Sequence, residues 1–88
     1  MFYYEIESYN DVSIRKEFIY FKEKRHACDY FRNLKKHYWN NKFAHYRVNG
    51  QEVDNIDNLT DDEIIKGKVI FDNYVTFYIK EKYIDFED

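Results

Sequence analysis

The Asn49-Gly50 pair lies between two short segments rich in strand-forming residues, 43–48 and 51–56, and constrains the fold more than any other feature. A type I′ turn needs a positive φ at both central residues, which Asn and Gly adopt more readily than other residues. The pair therefore predicts a β-hairpin with Tyr46 and Val53 on its inner face. The predicted cross-strand pairs are Val48 with Gln51, Arg47 with Glu52, Tyr46 with Val53, and His45 with Asp54.

Two further segments of aromatic and β-branched residues, 2–8 and 14–21, predict a hairpin near the N-terminus. A three-residue loop at 10–12 sets Tyr4 opposite Phe18. We prefer this register because it places four aromatic rings on one face, and hydrophobic patterning fixes strand register. These rings belong to Phe2, Tyr4, Phe18 and Tyr20.

Residues 22–41 predict the main helix, because apolar residues recur there at spacings of four, three and four. They are Ala27, Phe31, Leu34 and Tyr38. No residue before this helix is a strong N-cap. The last two strands are predicted at 68–71 and 74–79, with Asp72-Asn73 as the turn between them.

A second, short helix is predicted after Thr60. Thr60 and Glu63 have the spacing of a capping box, and Leu59 with Ile64 has that of a hydrophobic staple. Gly67 predicts a left-handed C-terminal cap, which limits this helix to about one and a half turns.

The predicted order of elements is β-β-α-β-β-(short α)-β-β. Because no βαβ unit occurs, this order indicates an α+β fold, with one main helix on an antiparallel sheet of five or six strands. The chain has 88 residues, which is enough for one hydrophobic core. We therefore expect a single compact domain over 1–88, with 83–88 as an acidic tail that frays.

Composition limits the classes of function. The three histidines lack a nucleophile or metal-ligand partner at a recognisable spacing, and two glycines are too few for a phosphate-binding loop. We therefore expect no enzyme, no catalytic residues, no metal and no cofactor. No apolar run approaches the roughly 20 residues that span a bilayer, so we expect no membrane partner. A single cysteine and the absence of a signal-like start indicate the cytoplasm.

Charge is distributed unevenly along the chain. Residues 1–50 carry ten basic and six acidic side chains, whereas residues 51–88 carry four basic and eleven acidic ones. Carboxylates spread over one surface can imitate a phosphate array and occupy a nucleic-acid-binding protein. We therefore predict a protein-binding surface, although the helix dipole also favours acidic residues in a first turn. The predicted residues are Asp54, Asp57, Asp61, Asp62, Glu63, Tyr74 and Tyr78.

The amino-acid usage is rich in Ile, Lys, Asn, Tyr and Phe and lacks Pro, which is typical of small phage or mobile-element proteins. The predicted function is accordingly a non-enzymatic interaction module that binds and inhibits a host or cellular protein, of an anti-defence or DNA-mimic type. A homodimer is compatible with this prediction.

The alternative is DNA or RNA binding by one face of the main helix. Basic side chains there could follow a phosphate backbone, with a neighbouring aromatic residue stacking on a base. The residues of this alternative site are Arg25, Arg32, Lys36 and Trp39. The competing interpretation is a solvated face on which Asp29 pairs with Arg25 or Arg32.

Overall fold

The computed structural model describes residues 1–10, 12–37, 45–67, 69–72 and 75–85. The strands are β1 (Phe2–Asn10), β2 (Arg15–Phe21), β3 (His45–Val48), β4 (Gln51–Val53), β5 (Val69–Asp72) and β6 (Val75–Tyr83). The helices are α1 (Lys24–Arg32), α2 (Leu34–His37) and α3 (Asp61–Lys66), with a 3-10 turn at Ile56–Asn58. The strands form one antiparallel sheet in the order β2-β1-β6-β5-β3-β4. The predicted α+β class and largely antiparallel sheet are confirmed.

The first and last strands are neighbours in the middle of the sheet. β1 and β6 pair from Phe2 opposite Tyr83 to Asn10 opposite Val75. Beyond this ladder, the Ile84 N–H donates to the Met1 carbonyl at 2.8 Å and the Met1 ammonium donates to the Ile84 carbonyl at 2.9 Å. Tyr83 and Ile84 are thus held by the N-terminal strand, and residues 86–88 lie outside the described part of the chain.

The predicted register of the N-terminal hairpin is wrong. Tyr4 pairs with Phe21 rather than with Phe18, because β1 continues to Asn10 and β2 begins only at Arg15, whereas the predicted loop lies at 10–12. The side-chain oxygen of Asn10 accepts the N–H groups of Val12 and Ser13 at 3.0 and 3.2 Å, and Ile14 has a positive φ of 53°. An odd shift in register exchanges the two faces of a strand. Phe18 and Tyr20 therefore lie on the face opposite Tyr4.

The Asn49-Gly50 hairpin forms as predicted. The φ angles are 50° at Asn49 and 85° at Gly50, and the first three predicted cross-strand pairs are present. The pairing of β3 with β4 stops at Val53, so the fourth predicted pair, His45 with Asp54, is absent from it. His45 Nδ1 instead lies 2.8 Å from Glu52 Oε1.

The predicted continuous helix is interrupted at Asn33, between α1 and α2. In an unbroken helix the Lys35 N–H would donate to the Phe31 carbonyl. Here it donates to the Tyr46 hydroxyl at 3.2 Å, and that hydroxyl lies 2.7 Å from the Phe31 carbonyl oxygen. A side-chain group inserted in this way breaks a helix. Residues 38–41, including the predicted core residue Tyr38, lie outside the described residues.

The capping of the helices is partly as predicted. Both hydrogen bonds of the Thr60–Glu63 capping box are present, and Glu23 at the N-cap of α1 makes no side-chain capping bond. The predicted left-handed cap at Gly67 is wrong, because its φ is −85°. A glycine is needed there for space, since a Cβ at this position would collide with the Glu63 carbonyl oxygen.

The hydrophobic core lies between one face of the sheet and the helices. β1 contributes Tyr4 and Ile6, while the alternate residues Tyr3, Glu5 and Glu7 belong to the opposite face. The full set of buried core residues is Tyr4, Ile6, Ala27, Cys28, Phe31, Leu34, Tyr46, Ile56, Ile64, Val69, Phe71, Phe77 and Ile79. In the described part of the chain, the helices α1 and α3 pack against this face and leave the other face uncovered.

Candidate interaction surfaces

The helices α1 and α3 are joined by ion pairs, which we call the ionic joint. Arg32 Nη2 lies 2.6 Å from Asp61 Oδ1, and Lys24 Nζ lies 2.7 Å from Asp62 Oδ1. Arg32 also donates to the Leu59 carbonyl at 3.0 Å. Two residues of the predicted acidic surface are therefore bound to basic residues of the main helix.

The two ion pairs of the joint differ in exposure. The side chains of Arg32 and Asp61 are 17% and 27% exposed, so solvent screens this pair weakly. Lys24 and Asp62 lie at the surface, where their mutual hydrogen bond lowers the pKa of Asp62 and raises the pKa of Lys24. The predicted pairing of Asp29 is present, since its carboxylate lies 3.2 Å from Arg32 and 3.8 Å from Arg25, although the Arg32 side chain is mostly buried rather than solvated.

The remaining predicted acidic residues divide into two groups. The Glu63 carboxylate accepts the Thr60 N–H at 3.3 Å and so has a structural role in the capping box. Asp54 and Asp57 are exposed, and neither carboxylate makes a hydrogen bond or ion pair with a described residue. These two form the part of the predicted acidic surface that stays accessible.

The two predicted tyrosines do not join the acidic group. Tyr78 pairs with Ile70 and Glu7 on the uncovered face of the sheet, whereas α3 packs on the other face. Tyr74 lies outside the described residues. The sheet therefore separates Tyr78 from Asp61, Asp62 and Glu63.

The predicted basic face of the main helix is reduced in the same way. Arg32 is held in the ionic joint, while the Arg25 side chain is 79% exposed and Lys36 is exposed. Trp39 lies outside the described residues. Two cations thus stay accessible from the predicted nucleic-acid-binding set.

The uncovered face of strands β2, β1 and β6 carries a cluster of exposed aromatic rings, and we call it the open face. The ring centroids of Tyr3 and Tyr20 are 6.0 Å apart, and the rings of Phe18 and Tyr20 are stacked at 6.4 Å. Tyr20 is 60% exposed and Phe18 45% exposed. The residues of the open face are Tyr3, Glu5, Glu7, Tyr9, Lys16, Phe18, Tyr20, Thr76, Tyr78, Lys80 and Lys82.

Sequence reasoning missed this cluster because the wrong register placed Phe18 and Tyr20 on the core face with Tyr4. The Asx-type turn after Asn10 is the signal that could have corrected it. Polar residues of the open face pair locally, since Lys16 Nζ lies 3.8 Å from Glu7 Oε1 and 5.9 Å from the Tyr9 ring centroid.

We found no significant match to the chain among protein-family models, curated proteins or solved structures. No helix in the described part of the chain is both long and apolar enough to cross a membrane. Among the same residues, no cluster of three or more His, Cys, Asp or Glu side chains is arranged to hold a metal ion. The ionic joint, the exposed acidic pair and the open face are therefore the surfaces from which function is inferred.

Proposed function

We propose that the chain is a small non-enzymatic protein-interaction module, and that the open face of its sheet is the binding surface. The observation that carries this proposal is the cluster of Tyr3, Phe18 and Tyr20, whose rings are in contact although two of them are about half exposed. Aromatic side chains with few rotatable bonds lose little entropy on binding and dominate interface energetics. A sheet also holds them at fixed spacing.

The open face has more support than the predicted acidic surface. Asp61, Asp62 and Glu63 already have intramolecular partners, and a binding protein would have to compete with Lys24, Arg32 and the Thr60 cap for them. Phe18 and Tyr20 can contact a partner without first breaking an ion pair or a capping hydrogen bond. Of the residues predicted from sequence, Tyr78 stays in the proposed site because it lies on the open face.

Nucleic-acid binding by the main helix has less support. Phosphate contacts require accessible cations, and Arg32 donates both to Asp61 and to the Leu59 carbonyl. The amino-acid usage favours a phage or mobile-element origin. Inhibition of a host protein in the cytoplasm is the further part of the proposal.

Quantitative affinity purification with three matched variants tests the proposed surface. The first carries Phe18→Ser and Tyr20→Ser on the open face, the second Asp54→Asn and Asp57→Asn, and the third Arg25→Ala and Lys36→Ala. All six positions are exposed, so we expect each variant to keep the fold. Circular dichroism and urea unfolding establish this before binding is compared.

We expect a specific partner to be recovered with the wild type and with the acidic and basic variants, and to be reduced at least about tenfold with the open-face variant. Loss of the partner from the acidic variant alone would show instead that Asp54 and Asp57 belong to the binding surface. Loss from the basic variant alone, abolished by nuclease treatment, would support nucleic-acid binding.

A further inference from the structure

Glu5 lies near the centre of the open face and is nevertheless 9% exposed. On the sheet it sits between Tyr20 of β2 and Lys80 of β6, which are its neighbours in the two ladders. Glu5 is also the one charged residue among the buried residues of the described chain.

The Glu5 carboxylate makes no hydrogen bond and no ion pair with any described residue. Glu7, two residues further along the same strand, differs in having Lys16 at 3.8 Å. Lys80 is adjacent to Glu5 in the ladder, but its ammonium lies beyond ion-pair distance. The Glu5 carboxylate oxygens are not among the buried side-chain atoms of the described chain that lack a partner, so they reach solvent at the open face and are accessible to a ligand.

On the β2 side the neighbours of this carboxylate are aromatic, while Lys80 lies on the β6 side, so a cationic ligand would approach Glu5 from the side of Tyr20. Tyr20 lies opposite Glu5, and its ring is in contact with those of Tyr3 and Phe18. A cation on this side of Glu5 would meet a carboxylate and the faces of aromatic rings together, and both attract positive charge. A planar guanidinium can donate two parallel hydrogen bonds and stack on a ring, which an ammonium cannot do.

We propose that Glu5, Tyr3 and Tyr20 form a receptor site for an arginine side chain of a partner protein. The guanidinium donates to the Glu5 carboxylate and stacks on the Tyr20 ring. This inference rests on the proposed function, because it specifies what the partner presents to the open face. Lys80 is the intramolecular competitor for the same carboxylate.

The experiment uses the full chain, labelled with nitrogen-15, and three blocked tripeptides with glycine on both sides of a central residue. The central residue is arginine, citrulline or lysine. Citrulline is nearly isosteric with arginine but neutral, so it removes the charge and keeps the shape. Amide chemical shifts are followed as each peptide is added to the unmodified protein.

We expect the arginine peptide to produce saturable shifts centred on residues 3, 5 and 20, and citrulline to bind at least about tenfold more weakly. The Glu5→Gln variant should lose about the same factor for the arginine peptide. Glu17→Gln is the matched control, since Glu17 lies on the neighbouring strand β2, on the other face of the sheet, and is paired with Arg15. Its affinity should stay within about twofold of the wild type.

Equal binding of the arginine and citrulline peptides would overturn the proposal, and so would stronger binding of lysine than of arginine. Because these comparisons use the unmodified chain, they hold even if a Glu5 variant fails to fold. With the natural partner, binding that is lost in the Phe18/Tyr20 variant but kept in Glu5→Gln refutes the arginine site alone. Binding that persists in both refutes the open face as the surface.

Discussion

The Tyr46 hydroxyl replaces one hydrogen bond of a helix with two of its own. It accepts the Lys35 N–H and donates to the Phe31 carbonyl, with the Arg32 carbonyl oxygen also within 2.8 Å. The Tyr46 ring is buried and in contact with those of Phe31 and Phe71. One residue of the β3–β4 hairpin thus fixes where α1 ends and connects that end to the sheet.

We expect Tyr46→Phe to lower the free energy of unfolding by about 1–3 kcal/mol, because it leaves buried helix-terminal groups without their partner. Urea unfolding followed by circular dichroism measures the change. Tyr20→Phe is the control, since the Tyr20 side chain is exposed and its hydroxyl makes no hydrogen bond to a described residue. It should change stability by less than about 0.5 kcal/mol. Equal changes in the free energy of unfolding for the two substitutions would show that the Tyr46 hydroxyl does not stabilise the fold through these hydrogen bonds.

Stability should fall at alkaline pH because buried thiol and phenol groups, chiefly those of Cys28 and Tyr46, are held in their neutral forms. Burial raises the pKa of the Cys28 thiol from 9.0 to about 11, and burial also raises the pKa of Tyr46 from 10.0 to about 12. A raised folded-state pKa gives stability that is complete below the unfolded-state pKa and is lost as pH rises through the folded-state value. We therefore expect the urea midpoint to decline as the pH rises from 9 to 12. In Tyr46→Phe the decline above pH 10 should be smaller, and an unchanged decline would assign it to other groups.

At the scale of elements, part of the uneven charge of the sequence is used in ion pairs within the molecule. The basic main helix and the acidic start of α3 bind each other through the ionic joint, which also covers part of the core. Cys28 of α1 reinforces this contact, with its Sγ 3.8 Å from the Asp61 carbonyl oxygen. Charge of opposite sign in two segments of one chain therefore predicts an intramolecular pairing as readily as a binding surface.

A double-mutant cycle on Arg32→Met and Asp61→Asn measures the strength of this joint. We expect a coupling free energy of about 1–2 kcal/mol, because both side chains are mostly buried. The control cycle uses Arg15→Met and Glu17→Gln, whose side chains are 75% and 66% exposed. It should give less than about 0.5 kcal/mol. Additive effects at Arg32 and Asp61 would show that the pair does not hold the helices together.

Features that depend on residues close together in the sequence could be predicted, whereas features that depend on distant residues could not. The Asn49-Gly50 turn and the Thr60–Glu63 capping box depend on residues a few positions apart, and both are present as predicted. The break at Asn33 depends on Tyr46, thirteen positions away and in another element. Neither helical periodicity nor propensity contains that information.

The candidate site was less predictable for a related reason. The register of the N-terminal hairpin depends on a loop in which Ile14 adopts a positive φ, which is uncommon for a β-branched residue. Once the register is shifted, Phe18 and Tyr20 move from the core face to the open face. The acidic start of α3 is visible in the sequence, but the ion-pair partners of Asp62 and Asp61 are Lys24 and Arg32, which lie about thirty to forty positions away.

At the scale of the whole molecule, the sheet is completed by the pairing of its first and last strands in sequence, β1 and β6. β1 and β6 form its longest ladder and lie in its centre, although more than sixty residues separate them in sequence. Contacts between distant residues slow folding, because a large loop must close before they form. The local hairpins can form early, but the sheet is complete only when β6 pairs with β1.

A circular permutant tests this dependence on chain order. The permutant joins residue 88 to residue 1 through a short Gly-Ser linker and opens the chain between Asn49 and Gly50. The nine residue pairs of the β1–β6 ladder are then close in sequence, whereas the three pairs of the β3–β4 hairpin at the sheet edge are far apart. We expect its refolding rate in stopped-flow experiments to rise about tenfold or more. The unpermuted chain carrying the same linker at its C-terminus is the control. An unchanged rate in the permutant would show that β1–β6 closure does not limit folding.

The central position of β6 also has a consequence for synthesis. A ribosome delivers β1 first, and that strand must wait, with one long edge unsatisfied, until residue 83 has left the exit tunnel. A translation product stopped before that point has the strands of an N-terminal hairpin but no neighbour for its inner edge. Such a product would expose the unpaired edge of β1, which is prone to aggregation and to proteolysis.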